Sequence, residues 1–428
     1  MKTSKYNIIF ETSPEESLVF NGMTKKFFSL SNDNIVELKK LFESPNIYFQ
    51  REEYNEFLST LKNNGFLIED DVDEFEQLRS LFESYKEAKS YSLMILTSYS
   101  CNFSCWYCVQ KHKNEYLNTD SIEKIKKHIS KYLIENNIHA FHISWFGGEP
   151  LLNFDAIRKI CIFAQDFCDR HEIGYSCGIT TNGSLITPDI ATQMKELGFI
   201  DFQITIDGIK ENHNKTRYNH IFQDSFSIIL NNINTLAKTI PEVDITVRFN
   251  YTHKNLNEVL VEQIDSVLFS SRDKVKLFFR KVWQEPDSTE LSEKLGIIMS
   301  KFQAKGYTIL HDYDNLKLTS CYVEQTHYNA IFPDGTVDKC SNKDMAETRG
   351  YLLDNGEIKW ECIPTENEIN IFNYPSECSD CVYLPLCMGP CPRNRESFIN
   401  KNTIRCSYDN KDQLFMNDIK NFALISKV

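Results

Sequence analysis

Residues 91–108 read YSLMILTSYSCNFSCWYC. The first half is an apolar run of strand length. The second half places Cys101, Cys105 and Cys108 at C-x3-C-x2-C spacing in what reads as one loop. A buried strand that runs straight into a loop full of thiols suits a parallel barrel, whose functional groups collect at the C-terminal ends of its strands.

Five more strand candidates follow: FHISWFGG, YSCGITTNG, DFQITIDG, DITVRFNY and KVKLFFRKV, near residues 141, 175, 201, 244 and 274. Amphipathic helices separate them, such as DSIEKIKKHISKYLI, where Asp120 and Glu123 read as a capping box ahead of Ile125, Ile129 and Tyr132. The strands are near-continuous runs of Val, Ile, Leu and Phe, which predicts a parallel sheet buried on both faces. The fold class is therefore α/β: a partial (β/α)6 TIM-type barrel over residues 89–312.

Two further domains flank it. In residues 1–88, YNIIFE and SLVFNG read as short strands. Asp33-Asn34 is expected to cap a helix carrying Ile35, Leu38, Leu41 and Phe42 on one stripe. A second helix through EYNEFLSTLKN stops at Asn64-Gly65, and FLI and a helix-like segment to Glu83 complete a winged-helix-like module with an open sheet edge. From about Leu316 the rhythm breaks into hairpin-like YNAIFPDGTVDKC and an irregular cysteine-rich stretch, taken as a third domain over residues 313–428.

A chain of 428 residues can bury large cores without cross-links. MKTSKYNIIFETSPEESLVF holds no apolar run of signal-peptide length and no segment approaches a membrane span, so the expectation is a cytoplasmic protein with no membrane partner. In that reducing setting the fourteen cysteines read as metal ligands, reactive thiols or apolar fillers rather than disulfides. A net charge of −13 argues against nucleic acid, whose partners carry basic stripes.

Three thiolates can hold three irons of a 4Fe-4S cube and leave the fourth open to a ligand that is not protein. Structural zinc prefers four closed ligands. Polar signals also close the next three strands: Gly147-Gly148-Glu149-Pro150, Thr181-Asn182-Gly183, and Asp207-Gly208 with Arg217 ten residues after Asp207. The glycines admit a ligand close to the backbone, and Glu149 can accept from an ammonium. Asn182 and Asp207 can bond hydroxyls, and the fork of Arg217 can hold a carboxylate. Amine, ribose and carboxylate together describe S-adenosylmethionine (SAM). Any one of these pairs alone is an ordinary turn signal.

CNFSCWYC with Tyr107 before its last cysteine, FGGEP, TTNGSL and ITIDG, in this order, resemble the radical SAM superfamily over residues 90–310. The resemblance implies that Cys101, Cys105 and Cys108 are the catalytic cluster ligands and that SAM chelates the open iron and yields a 5′-deoxyadenosyl radical. It also implies a SAM contact set of Tyr107, Gly147, Gly148, Glu149, Asn182, Asp207 and Arg217. Gly147, Gly148 and Glu149 would meet the methionyl amine, Asn182 and Asp207 would lie near the ribose or sheet core, and Arg217 would hold the carboxylate.

Cys321, Gly335-x4-Cys340, Cys378-x2-Cys381-x5-Cys387-x3-Cys391 and Cys406 are similar to the seven-cysteine SPASM extension of peptide-modifying members. That resemblance implies two auxiliary 4Fe-4S clusters, three in all. One is on Cys321, Cys340 and Cys391, the other on Cys378, Cys381, Cys387 and Cys406. Zinc stays open as an alternative, since C-x2-C is also a zinc knuckle. Two full clusters need an eighth ligand: His327, Cys362 or an open position. Cys161, Cys168 and Cys177 read as apolar fillers, and Arg280 and Trp283 as either substrate-lining or rim residues.

The resemblance implies a maturase that abstracts hydrogen from a ribosomally made peptide, leaving a thioether, a carbon–carbon cross-link or an epimerised residue. The partners implied are a precursor peptide, its leader added as a strand to the N-terminal module, and an electron donor such as a flavodoxin or ferredoxin. One alternative is an anaerobic sulfatase-maturing, formylglycine-generating enzyme. That group carries an aspartate directly after the G-x4-C cysteine, where this chain has Ser341. The other alternative is a catalytically inert iron–sulfur scaffold that binds peptide.

Overall fold

The computed structural model describes residues 1–219, 221–286, 288–310, 321–341, 350–361 and 369–426. The chain forms two compact units. One is Ala88–Leu310 with Thr326–Pro364, and the other is Met1–Glu87 with His311–Gln325 and Thr365–Val428.

In the first unit the six expected strands form at Ser90–Leu96, Ala140–Phe146, Gly174–Thr181, Phe199–Ile206, Asp244–Tyr251 and Val275–Lys281. Each pairs in parallel with its predecessor. Among the described residues the sheet does not close. Tyr328–Ile331 takes the outer edge of the first strand and Thr308–Leu310 that of the sixth, giving eleven strands that end in antiparallel Thr336–Asp338, Gly350–Leu352 and Ile358–Trp360.

Alternate strand residues point to opposite faces. Tyr91, Leu93, Ile95, Phe141, Ile143 and Trp145 are buried. Crossover helices such as Thr119–Glu135 and Phe154–Arg170 bury stripes of their own, including Ile125, Ile129, Cys161 and Cys168. The other face departs from the expected double burial. Ser92, His142, Ser144, Gln203, Thr246 and Arg248 alternate with the apolar residues there and are only half-buried. A closed barrel fills its interior with packed side chains; an open one leaves that face to solvent and ligands, so it is polar.

Two helix starts also differ from expectation. Asn118, not Asp120, caps the first crossover helix, its Oδ1 accepting from Ser121 N at 2.9 Å. Glu123 pairs with Lys126 instead. Asn32–Glu43 follows Ser31, with Asp33 inside its first turn, where its charge suits the helix dipole.

The second unit joins both ends of the chain. Strands Asn7–Glu11, Glu16–Asn21 and Phe27–Ser31 form an antiparallel sheet. One face puts Val19 against Ile35, Leu38, Leu58 and Leu61 of the following helices and Phe66 just beyond them. The other puts Ile8, Leu18 and Phe20 against Tyr383, Leu386, Phe415, Ile419 and Phe422. A further core gathers Tyr6, Leu78 and Phe82 with Ile371, Cys378, Leu384 and Met388. Burying each such side chain stabilises by about 1.5–3 kcal/mol, so the two chain ends fold as one core.

Candidate active site

After the first barrel strand the chain passes Ser98–Ser100 and enters the cysteine loop, which is pinned from two sides. Gly148 N donates to Ser98 O at 2.9 Å and Glu149 N to Ser100 O at 2.8 Å. A Cβ on Gly148 would lie 2.3 Å from Ser100 O, and one on Gly147, whose φ is +134°, would lie 2.4 Å from Ser98 O. The glycines of FGGEP thus let two strand-end loops meet backbone to backbone. On the far side Phe103–Cys105 pairs antiparallel with Arg217–Asn219, with Arg217 opposite Cys105.

Glu149 is fully buried. Its Oε1 accepts from Leu151 N at 3.0 Å and Thr181 Oγ1 at 2.7 Å, and its Oε2 from Asn182 N at 2.8 Å. Burial pushes its carboxyl up, and these bonds pull it back toward the charged form. Asn182 turns toward the cysteines: its Nδ2 donates to Asn102 Oδ1 at 2.7 Å and lies 4.0 Å from Cys101 Sγ, while its Oδ1 accepts from Ser184.

The other predicted residues meet at the Tyr107 hydroxyl. It donates to Asp207 Oδ2 at 2.7 Å and accepts from Arg217 Nη1 at 2.8 Å and Asn250 Nδ2 at 3.1 Å. Arg217 also stands 4.0 Å from Asp207 Oδ1 and over the Phe103 ring. Burial pushes the Asp207 carboxyl up to about 6, against the pull of Arg217 and the Tyr107 hydroxyl. Asp207 Oδ1 and Arg217 Nε are buried with no hydrogen-bond partner among the described residues.

Asn250 and its neighbour Arg248, which donates from Nε to Asn250 Oδ1 at 2.9 Å, escaped the sequence reading. Their signal was positional: Asn250 closes the fifth strand as the other polar residues close the first four. Beside Tyr107 lies a cavity of about 300 Å³ lined by Trp106, Asn212, Thr252, Asn255 and Val282 among others. Trp283 is 89% exposed next to it in sequence, and Arg280 packs over Phe278.

Cys101 and Cys105 are half-buried and Cys108 is exposed, its Sγ 3.7 Å from His112 Nε2. Burial pushes the Cys101 thiol up to about 12. Among the described residues no three Cys, His, Asp or Glu side chains converge on a point suited to one metal ion. A 4Fe-4S cube binds each cysteine to a different iron, so it needs thiols spread around it rather than convergent. Three thiols on one braced loop, beside two unsatisfied buried polar atoms, fit a cube with an organic ligand.

In the second unit Cys387 lies within Coulomb range of Cys378, Cys381 and Cys406, a thiol-only set that fits a further cube. Lys411 Nζ approaches Cys381 Sγ at 3.9 Å, and Cys406 N donates to Glu377. Cys321 and Cys391 belong to this unit and Cys340 to the other. His327 is buried with Nδ1 3.1 Å from Tyr132 Oη and Nε2 3.3 Å from Lys89 Nζ, so both ring nitrogens are already engaged. Cys362 lies outside the described residues. Cys161, Cys168 and Cys177 are buried, in keeping with the filler reading.

Residues 95–263 match the family model of the Radical SAM superfamily. Those residues form a radical SAM domain; enzymes with this domain hold a 4Fe-4S cluster and SAM. The radical SAM cyclopropyl synthase TigE of Paramaledivibacter caminithermalis is 28% identical, over 80% of this chain and 78% of the relative. The cysteine-type anaerobic sulfatase-maturating enzyme of Clostridium novyi is 25% identical, over 78% and 94%. Among solved structures, Streptococcus suis SuiB bound to precursor peptide SuiA matches at TM-score 0.51 over 95% of this chain and 99% of that one. At 12% identity, that likeness is one of fold. No helix among the described residues is long and apolar enough to cross a membrane.

Proposed function

We propose that this enzyme modifies a ribosomally made precursor peptide and closes a carbon–carbon bond in it. The observation that carries the reading is the cysteine loop braced by FGGEP and Asn182 at the ends of successive parallel strands and, from the other side, by the antiparallel pairing of Arg217 with Cys105. The relation to a cyclopropyl synthase favours carbon–carbon closure over a thioether or epimerisation.

Bound at this site, the cluster and SAM supply a 5′-deoxyadenosyl radical that takes a hydrogen atom from the substrate. The chain positions the parts. Cys101, Cys105 and Cys108 would hold the cluster on a loop whose backbone is fixed by Gly148 and Glu149. Glu149 Oε2 accepts one bond from the protein and keeps a lone pair for the methionyl amine. Arg217, already within the Asp207–Tyr107 network, keeps an Nε donor for the carboxylate. The cavity beside Tyr107 offers aromatic rings and the amide oxygen of Asn212 to the nucleoside.

Cys378, Cys381, Cys387 and Cys406 would hold an auxiliary cluster, and the chemistry it would supply is acceptance of the substrate's second electron. An outside donor such as a flavodoxin or ferredoxin would reduce the radical site. The sheet of Asn7–Glu11, Glu16–Asn21 and Phe27–Ser31 pairs only one side of each outer strand, which leaves an edge for a leader peptide.

The likeness to a sulfatase-maturating enzyme supports a second reading, oxidation of a cysteine or serine to formylglycine. Both are tested by mass spectrometry of a candidate peptide encoded beside the gene, incubated anaerobically with reconstituted enzyme, SAM and reductant in deuterated water. Loss of two hydrogens, with a new carbon–carbon linkage in the fragments, is the expected result. An aldehyde trapped by a hydrazine would favour the second reading, and a gained deuterium with unchanged connectivity would mean epimerisation. An unmodified peptide and no 5′-deoxyadenosine would leave only the inert scaffold.

A further inference from the structure

Arg395 is 1% exposed. Its guanidinium binds three separate segments: Nη1 donates to Glu324 Oε1 at 2.8 Å and Ile369 O at 2.8 Å, and Nη2 donates to Pro390 O at 3.2 Å. Each segment leads to or from a cysteine. Glu324 follows Cys321 by three residues, Pro390 precedes Cys391, and the stretch after Ile369 runs to Cys378. Glu324 is 3% exposed. An ion pair at this depth is costly to desolvate, and apolar replacement of such pairs is often neutral or stabilising. Stability alone therefore gives a weak reason for two charges here.

Their position gives a better one. Arg395 Nη2 holds Pro390 O, and the adjoining Gly389 has its carbonyl oxygen 3.7 Å from Cys387 Sγ, while a Cβ on it would lie 3.8 Å from Cys378 Sγ; these thiols belong to the set completed by Cys381 and Cys406. The Arg395 Nε–H is buried and has no hydrogen-bond partner among the described residues, which leaves a donor for a sulfur. The potential of an iron–sulfur cluster responds to nearby charge and to hydrogen bonds on its sulfurs, and charges act more strongly in a dry interior than in water.

We propose that Arg395 and Glu324 are positioning residues that set the reduction potential of the cluster on Cys378, Cys381, Cys387 and Cys406, with Arg395 raising it and Glu324 lowering it. The proposal rests on the auxiliary-cluster reading above. Adding an electron makes the cluster more negative, so a fixed cation favours the reduced form and a fixed anion opposes it. Removing either charge therefore moves the potential in opposite directions, whereas a purely structural pair would give shifts of the same sign or none.

The test uses the full chain with Cys101, Cys105, Cys108, Cys321 and Cys340 all changed to Ala, so that only the cluster on Cys378, Cys381, Cys387 and Cys406 reports. Reconstituted protein is analysed for iron and titrated by EPR-monitored reduction. Arg395→Gln is expected to keep the iron and shift the redox equilibrium at least tenfold toward the oxidised form, about 59 mV more negative for one electron. Glu324→Gln is expected to move it the opposite way, and Arg395→Lys to stay near the parent. Shifts of the same sign, or none, with iron retained would overturn the proposal. If Arg395→Gln fails to hold iron, Glu324→Gln decides alone: a positive shift supports the proposal and its absence refutes it. A parent protein that takes up no iron would instead refute the auxiliary-cluster reading, and this proposal with it.

Discussion

Tyr107 was legible in the sequence as the aromatic before the last loop cysteine, but the work of its hydroxyl was not. Asp207, Arg217 and Asn250, its three partners, lie far along the chain and meet it only because strands four and five end beside the loop. Tyr107→Phe keeps the ring and strands those three buried groups, so we expect a loss of about 1–3 kcal/mol in unfolding free energy and slower 5′-deoxyadenosine release. An unchanged melting temperature would mean the network holds nothing. A second residue sets an acid limit. His128 is 2% exposed, with its ring nitrogens 2.8 Å from Tyr91 Oη and from Gly356 O. Burial lowers its pKa from 6.5 to about 4. The unfolded chain takes up a proton below pH 6.5 that the folded chain refuses until about pH 4, so stability falls across that window. The fall is worth up to about 3 kcal/mol. Denaturant midpoints at pH 7 and pH 5 should differ less in His128→Gln than in the parent protein.

Among elements, the six parallel strands and their crossovers could be read directly, because apolar runs and helical stripes are local patterns. The polarity of the uncovered face could not, since it follows from the sheet staying open, and that depends on Tyr328–Ile331 arriving at the first strand from far downstream. Helix starts slipped by two residues or more, with Asn118 taking the role read for Asp120, because several nearby polar side chains can satisfy the same free amides. The strand-end loops are the elements that matter most for chemistry. A methyl group at Gly148 would collide with Ser100 O at 2.3 Å, backbone that can yield only by moving the cysteine loop. Gly148→Ala is therefore expected to fold but to lose about four irons per chain after reconstitution. Full iron loading in that variant would show that the close approach of the two loops is not required.

At the scale of the whole molecule, the union of the two chain ends in one core was hidden from the sequence because its contacts are the most non-local of all. Ile8, Leu18 and Phe20 pack with Phe415, Ile419 and Phe422, and Phe422 meets the rings of Phe20 and Phe27 edge-on at 6.1 and 6.2 Å. Phe422→Ala should cost about 3–5 kcal/mol. Removing residues 1–87 should uncover this face and abolish iron binding by Cys378, Cys381, Cys387 and Cys406. A truncated chain that kept that iron would mark the N-terminal module as a separable attachment. The central claim, that the braced cysteine loop is the radical site, is tested most directly by 5′-deoxyadenosine. The parent protein and Cys105→Ala are reconstituted with iron and sulfide, supplied anaerobically with SAM and dithionite, and assayed side by side. The account predicts 5′-deoxyadenosine from the parent protein and none from Cys105→Ala; equal yields from both would contradict it.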